Sequence, residues 1–199
     1  MPYSRDPKLI VIDRDGTLNH DPEDYLRSPD DWQPLPGALE AVARLNQAGW
    51  RVVVATNQSG LGRGLFDIAT LNDIHTRMHK ALAQAGGRVE AVFFCPHAPE
   101  DECDCRKPAP GLLLQISQRL GVPLAQMVAV GDSVRDAQAA RAAGCEAHLV
   151  LTGQSLAHRD GTLPPGLPAG VCVHQDLAAF AEAIVARASA LATATTGHS

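Results

Sequence analysis

Leu9-Ile10-Val11-Ile12-Asp13-Arg14-Asp15-Gly16-Thr17 decides how this chain is read. Four β-favouring residues end in two carboxylates, which puts both acids at the carboxyl end of a strand. Side chains at i and i+2 of an extended segment point the same way, roughly 6.5 to 7 Å apart. Asp13 and Asp15 can therefore face one substrate, one as nucleophile and the other as acid or base. Gly16 lets the backbone turn sharply, and the amides and hydroxyl of the turn can meet an anion or a metal. An isolated Asp-x-Asp-Gly can equally be a solvated acidic turn after a strand, so the rest of the chain has to decide.

Outward from this stretch, strands and helices alternate. Asn19 to Pro36 is polar and proline-punctuated and reads as a loop, whereas Gly37 to Ala48 carries Leu39, Val42, Ala43 and Leu45 at helical spacing. The strand Arg51 to Ala55 follows. Asp67 or Thr70 can cap a helix with the stripe Leu71, Ile74, Met78 and Leu82, ended by Gly86-Gly87. A strand is expected over Val89 to Phe94, then a cysteine-rich loop, a helix from Leu112 to Leu120 and a strand from Met127 to Val130. A helix over Val134 to Ala143, a strand over Ala147 to Leu151, a Gly/Pro-rich connection over 153–170, a strand over Val171 to His174 and a helix from Asp176 to Leu191 complete the pattern. Such alternation predicts an α/β fold, a doubly wound parallel sheet covered on both faces with ligands at the carboxyl ends of its strands. Residues 1–191 are expected to form one domain, with 192–199 a frayed tail. The first strand and second motif are separated only by a loop, a helix and a strand, leaving no room for a cap domain. The site is expected to be open.

Composition narrows the partners. The net charge of −5 over 199 residues, without a basic run, argues against a nucleic-acid or anionic-membrane surface. The apolar runs are strand-sized and Met1 to Lys8 is polar, so neither a membrane span nor a secretory segment is predicted and a cytoplasmic monomer is expected. Of five cysteines, three lie within eleven residues beside a histidine, which reads as metal ligation in a reducing compartment. Cys95, His97, Cys103 and Cys105 offer three sulfurs and one imidazole, a tetrahedral set that suits structural zinc and leaves no open position; free surface thiols are the alternative. Cys145 and Cys172 read as small core or near-core residues.

Three further stretches fit the first in order: Thr56-Asn57 after Val52-Val53-Val54-Ala55, Lys107-Pro108 before a helix, and Gly131-Asp132-Ser133 with Asp136 after Met127-Val128-Ala129-Val130. Together, over roughly residues 8 to 153, they resemble the four motifs of the haloacid dehalogenase superfamily of phosphotransferases, in which an aspartate attacks phosphorus with the help of magnesium. Cys95-Pro96-His97 with Cys103-Asp104-Cys105-Arg106-Lys107-Pro108, and Thr56-Asn57-Gln58-Ser59-Gly60, are similar to the zinc-loop phosphatase subfamily. The resemblance implies a sugar-phosphate substrate, a heptose 1,7-bisphosphate, with histidinol phosphate the rival and Asp21, Asp24 and Tyr25 keeping that rival open. It implies Asp13 as nucleophile, Asp15 as general acid/base, and magnesium on Asp13, Asp132 and the Asp15 carbonyl. Thr56 and Lys107 would hold the phosphoryl oxygens. Asp21, Tyr25, Asn57, Gln58, Ser59 and Arg106 would meet the remainder of the substrate. A proton donor near pH 7 requires a raised pKa at Asp15. Asp136 can orient Lys107 or metal-bound water, or simply favour its helix N-terminus.

Other features read as structure. His75 and His79 lack the glutamate of the metalloprotease motif and read as helix surface; Gly60, Gly62 and Gly64 lack the dinucleotide spacing and read as a shaped loop. A non-catalytic phosphate-binding or zinc-scaffold protein is the competing class. A binding module has no use for both acids of the first motif.

Overall fold

A computed structural model describes residues 9–21 and 25–196, with side chains through residue 190; Asp24 lies outside them. Six parallel strands, β1 (Leu9–Ile12), β2 (Arg51–Asn57), β3 (Val92–Cys95), β4 (Met127–Gly131), β5 (Glu146–Val150) and β6 (Cys172–His174), form one sheet in the order β3-β2-β1-β4-β5-β6. Among the described residues six α-helices lie between or after them: α1 (Ala38–Gln47), α2 (Ser59–Gly62), α3 (Ile68–Gln84), α4 (Gly111–Leu120), α5 (Val134–Ala143) and α6 (Leu177–Thr196).

The period-2 alternation of β1 divides the core. Ile10 and Ile12 pack with Val42, Leu45, Ile74, Met78, Phe180 and Ile184 from α1, α3 and α6. Leu9 and Val11 pack with Leu112, Ile116, Ala139 and Ala143 from α4 and α5. All four β1 residues are buried, as expected of a strand covered on both faces. The strand order reverses at β1 and β4, where the Asp13 amide donates to the Val130 carbonyl at 2.9 Å. That switch point is where a doubly wound sheet opens a crevice.

The departures from the sequence reading have local causes. β2 runs on to Asn57, so Thr56 and Asn57 lie in the strand itself. β3 starts at Val92 rather than Val89; before it, Glu90 and Ala91 make single backbone bonds to Val52 and Val54 instead of a continuous ladder. Ser59–Gly62 is a helical turn rather than an irregular loop, with Gly60 against Phe66 and Gly62 against the Pro96 carbonyl. The last helix continues to Thr196 through an alanine- and threonine-rich stretch, so 192–196 are helical where a frayed tail was expected; 197–199 lie outside the described residues. Cys145 is buried, but Cys172 is exposed on the edge strand β6. His79 is exposed as expected, whereas His75 is buried. No helix among the described residues is long and apolar enough to cross a membrane.

Candidate active site

The carboxyl ends of β1, β2 and β4 and the loop after β3 converge on one cavity of about 400 Å³. Asp13, Asp15, Asp21, Tyr25, Thr56, Asn57, Gln58, Ser59, Arg106 and Lys107 all line it, so the sequence-predicted residues come together. Asp132 lies just beneath, 1% exposed. It is held by two glycines. A Cβ on Gly16 (φ +82°) or on Gly153 (φ +45°) would sit 2.3 or 2.2 Å from Asp132 Oδ2. Neither conformation nor space admits a larger residue. The Gln154 amide donates to Asp132 Oδ2 at 2.7 Å and the Thr17 hydroxyl to Oδ1 at 3.2 Å, while Thr152 Oγ1 donates to the Gly16 carbonyl at 2.6 Å.

Lys107 reaches the floor of the cavity and divides its ammonium between two acids, 2.8 Å from Asp13 Oδ1 and 2.6 Å from Asp136 Oδ1. Its backbone is fixed by Asn57, whose amide accepts from Lys107 N at 3.1 Å and donates to the Lys107 carbonyl at 3.2 Å. Burial works against the Lys107 charge, but the Asp13 and Asp136 charges and hydrogen bonds prevail and raise its pKa. Asp136 also accepts from Ser133 N (3.1 Å) and Ser133 Oγ (2.6 Å) in a capping box at α5. These donors and Lys107 overcome its burial and keep it ionised below the ordinary range. Asp13, with only a share of the lysine, is pushed up to about 7 by burial, against Lys107 and with the repulsion of Asp136 and Asp15.

Asp13, Asp132 and Asp136 bring carboxylate oxygens within 4.8 Å of one another. Two of these acids share one lysine, and Asp132, raised well above its ordinary range by burial and by the Asp13 and Asp136 charges, has no cationic partner among the described residues. This oxygen-rich excess of negative charge fits a hard divalent cation. At the cysteine loop, Cys95, His97, Cys103 and Cys105 also gather their ligand atoms within 4.8 Å. Sulfur pairs are 3.6, 3.1 and 3.6 Å apart, and His97 Nδ1 is 3.5 and 3.3 Å from Cys95 and Cys105. The edges of a tetrahedron around zinc are about 3.8 Å for two sulfurs and about 3.6 Å for sulfur and nitrogen. The cluster therefore fits a closed tetrahedral metal, and it holds free thiols rather than disulfides.

Asp15 departs from expectation. Arg14 donates from Nε to Oδ1 at 2.9 Å and from Nη2 to Oδ2 at 2.7 Å, Asn19 to Oδ1 at 2.9 Å and Gln58 to Oδ2 at 2.9 Å. Four donors fill the four lone-pair positions of the carboxylate. Burial alone would raise Asp15, but the Arg14 charge and these hydrogen bonds outweigh it and lower the pKa instead. The expected raised value is corrected accordingly. Arg14 is 1% exposed and spends its remaining contact on His75 Nε2, 3.2 Å away, so His75 serves as an acceptor. Burial first, then Arg14, lowers His75 to about 4. Trp32 Nε1 donates to Asn19 Oδ1 at 3.0 Å and fixes that amide.

On the rim, Arg106 Nη1 donates to the His97 carbonyl at 3.3 Å, and Tyr25 shares a 3.4 Å hydrogen bond with Ser59. Gln58 also donates to Thr56 Oγ1 at 2.9 Å. Arg14, Asn19, His75, Arg135 and Gln154 were missed by sequence reasoning. Arg14 occupied the variable place of a motif, and the others approach from remote loops or helices; only the Asn19 position, four residues after Asp15 at a turn, carried a local signal.

A parallel sheet with Asp13 and Asp132 at the ends of its two central strands, and a lysine from the third crossover bridging Asp13 to Asp136 in the helix that follows, defines a class of α/β enzymes suited to hydrolysing anionic esters. The chain belongs to the haloacid dehalogenase-like hydrolase family, whose model matches residues 18–144. It is 56% identical over 181 residues, 91% of this chain and 99% of the relative, to the D-glycero-beta-D-manno-heptose-1,7-bisphosphate 7-phosphatase of Bordetella bronchiseptica. Identity to the Pseudomonas aeruginosa protein of the same name is 48% over 177 residues, 89% of this chain and 97% of that one. The crystal structure of the B. bronchiseptica D,D-heptose 1,7-bisphosphate phosphatase complexed with magnesium and phosphate superposes with a TM-score of 0.85 at 56% identity, covering 90% of this chain and 99% of that chain.

Proposed function

We propose that this protein is a magnesium-dependent phosphatase that removes the 7-phosphate of D-glycero-D-manno-heptose 1,7-bisphosphate, in the cytoplasmic supply of heptose for surface polysaccharide. The observation that carries the reaction is the placement of Asp13 on the cavity floor, between Lys107 and the buried Asp132. Its relatives, at 56% and 48% identity, support the substrate.

Phosphate monoesters repel anionic nucleophiles through their own oxygens, so attack needs fixed positive charge. A divalent cation held by Asp13, Asp132 and the Asp15 carbonyl would supply most of it and align the phosphoryl group. Lys107 and the Thr56 hydroxyl would take non-bridging oxygens, and the second Asp13 oxygen would attack phosphorus to form an aspartyl phosphate. Asp136 keeps Lys107 in place. Asp15 is to protonate the leaving oxygen and then activate water. Since it rests ionised with all four acceptor positions filled, it must first release one donor and take up a proton from solvent through the open cavity. Gln58, a neutral donor with Thr56 as a second partner, is the one to release. The Cys95, His97, Cys103 and Cys105 cluster is assigned to structural zinc, which orders the loop immediately before Arg106 and Lys107. The protein is proposed to act as a monomer. Arg106, Asp21, Tyr25, Asn57 and Ser59 are assigned to the sugar.

Histidinol phosphate is the rival substrate, and the non-catalytic phosphate binder or zinc scaffold the rival class. Side-by-side kcat/KM measurements test all three. Heptose 1,7-bisphosphate is expected to be hydrolysed far better than histidinol phosphate; the opposite preference would transfer the chain to histidine synthesis, and turnover of neither would make it a binder.

A further inference from the structure

Two exposed or half-exposed guanidinium groups line the cavity, each on a wall built by a different part of the chain. Arg106 belongs to the metal-loop wall beside Lys107, next to the phosphoryl group that is transferred. Arg135 belongs to the first turn of α5, beyond β4, across the switch point. The other two cavity cations, Arg14 and Lys107, are buried and already committed to carboxylates. Arg135 is exposed and, among the described residues, makes no ion pair; Nη2 donates to the neutral Gln154 Oε1 at 3.1 Å. A cation in the first turn of a helix also opposes the positive end of the helix dipole. Local stability therefore does not account for an arginine at this place.

Gln154 gives Arg135 a fixed relation to the reaction centre. Its backbone amide binds Asp132 Oδ2 at 2.7 Å while its side chain accepts from Arg135. One residue thus ties the position of the guanidinium to that of a proposed metal ligand. Asp21 stands close enough to both for the Gln154 amide and the Arg135 charge to act on its carboxylate. The wall so offers a positioned planar cation beside a hydroxyl acceptor, the chemistry that a sugar carrying a second phosphate would meet.

Resting on the proposed bisphosphatase reading, we infer that Arg135, oriented by Gln154, is a specificity-determining residue that binds the phosphate that is not transferred. Arg106 on the metal-loop wall serves the sugar and transferred phosphate instead. The two walls make different predictions about substrates. Loss of a group that binds the second phosphate affects only substrates that carry one, whereas loss of a group beside the reacting phosphate affects every substrate.

The test compares kcat/KM for heptose 1,7-bisphosphate and heptose 7-monophosphate in wild-type, Arg135→Ala, Arg135→Lys and Arg106→Ala proteins. The bisphosphate-to-monophosphate ratio should fall on the order of 10- to 100-fold in Arg135→Ala, the usual scale for a charge-assisted hydrogen bond. It should recover partly in Arg135→Lys, which keeps the charge but not the fork, and stay near the wild-type value in Arg106→Ala. An unchanged ratio in Arg135→Ala, or an equal loss on both compounds, overturns the inference while leaving the bisphosphatase reading intact. A wild-type enzyme that does not favour the bisphosphate over the monophosphate overturns that reading, and the inference with it.

Discussion

Arg14 grips both carboxylate oxygens of Asp15, at 2.9 and 2.7 Å, although the two residues are adjacent in sequence. Neighbours on a strand face opposite ways, so the pair meets only because the backbone has already begun to turn toward Gly16. The guanidinium is buried, and its third contact is a histidine contributed by α3.

Arg14→Met should therefore lower stability by about 3 kcal/mol, the scale for removing one partner of a buried pair. Arg14→Lys should restore little of it, because an ammonium cannot fork to two oxygens and still meet His75. Chemical denaturation checks both; a loss below about 0.5 kcal/mol, typical of a surface site, would show that the pair is not structural.

His75 gives a pH signature. Its folded pKa of about 4 lies below its unfolded value of 6.5, so between those pH values the unfolded chain binds a proton that the folded chain refuses. The contribution is complete above pH 6.5 and is lost as pH falls through this window to about 4. It amounts to at most about 3 kcal/mol. His75→Gln keeps an acceptor for Arg14 and cannot titrate, so its stability should fall less than the wild type's over the same window, as measured by urea midpoints at several pH values.

Asp13→Asn should keep the fold and abolish turnover, since an amide retains the shape but cannot attack phosphorus. Residual activity above about one hundredth of wild type would exceed what removal of the reacting group allows. With Asp13 neutralised, Lys107 is left to Asp136, and the protein should be no less stable.

Metal content separates the two clusters. One zinc per chain is expected to survive dialysis, while magnesium leaves on mild chelation and restores activity when returned. Cys103→Ser with Cys105→Ser should lose the zinc and lower the melting temperature on the order of 10 °C. Elemental analysis and a thermal scan decide this.

Much of the site was legible because its residues sit at the ends of apolar runs: Asp13, Thr56 and Asp132 follow Leu9–Ile12, Val52–Ala55 and Met127–Val130. The cysteine spacing was legible for a similar reason, the ligands being close in sequence. What escaped was set by tertiary packing. His75 lies on the same side of α3 as Leu71, Ile74 and Met78, yet a histidine there reads as surface until Arg14 is known to lie opposite. The low pKa of Asp15 depends first on Arg14, turned back onto it by the loop, and then on Asn19 and on Gln58, which follows β2. Arg135 and Gln154 are nineteen residues apart and meet only when β5 lies beside β4.

The two glycines around Asp132, a ligand of the proposed magnesium site, tie that site to folding order. Gly16 follows β1 and Gly153 follows β5, and Thr152 clips the second turn onto the first. An intermediate that has assembled β1 to β4 but not β5 has Asp132 without its roof or its Gln154 donor. Magnesium binding should then be the last event of maturation, and a nascent chain should remain inactive until its fifth strand has left the ribosome.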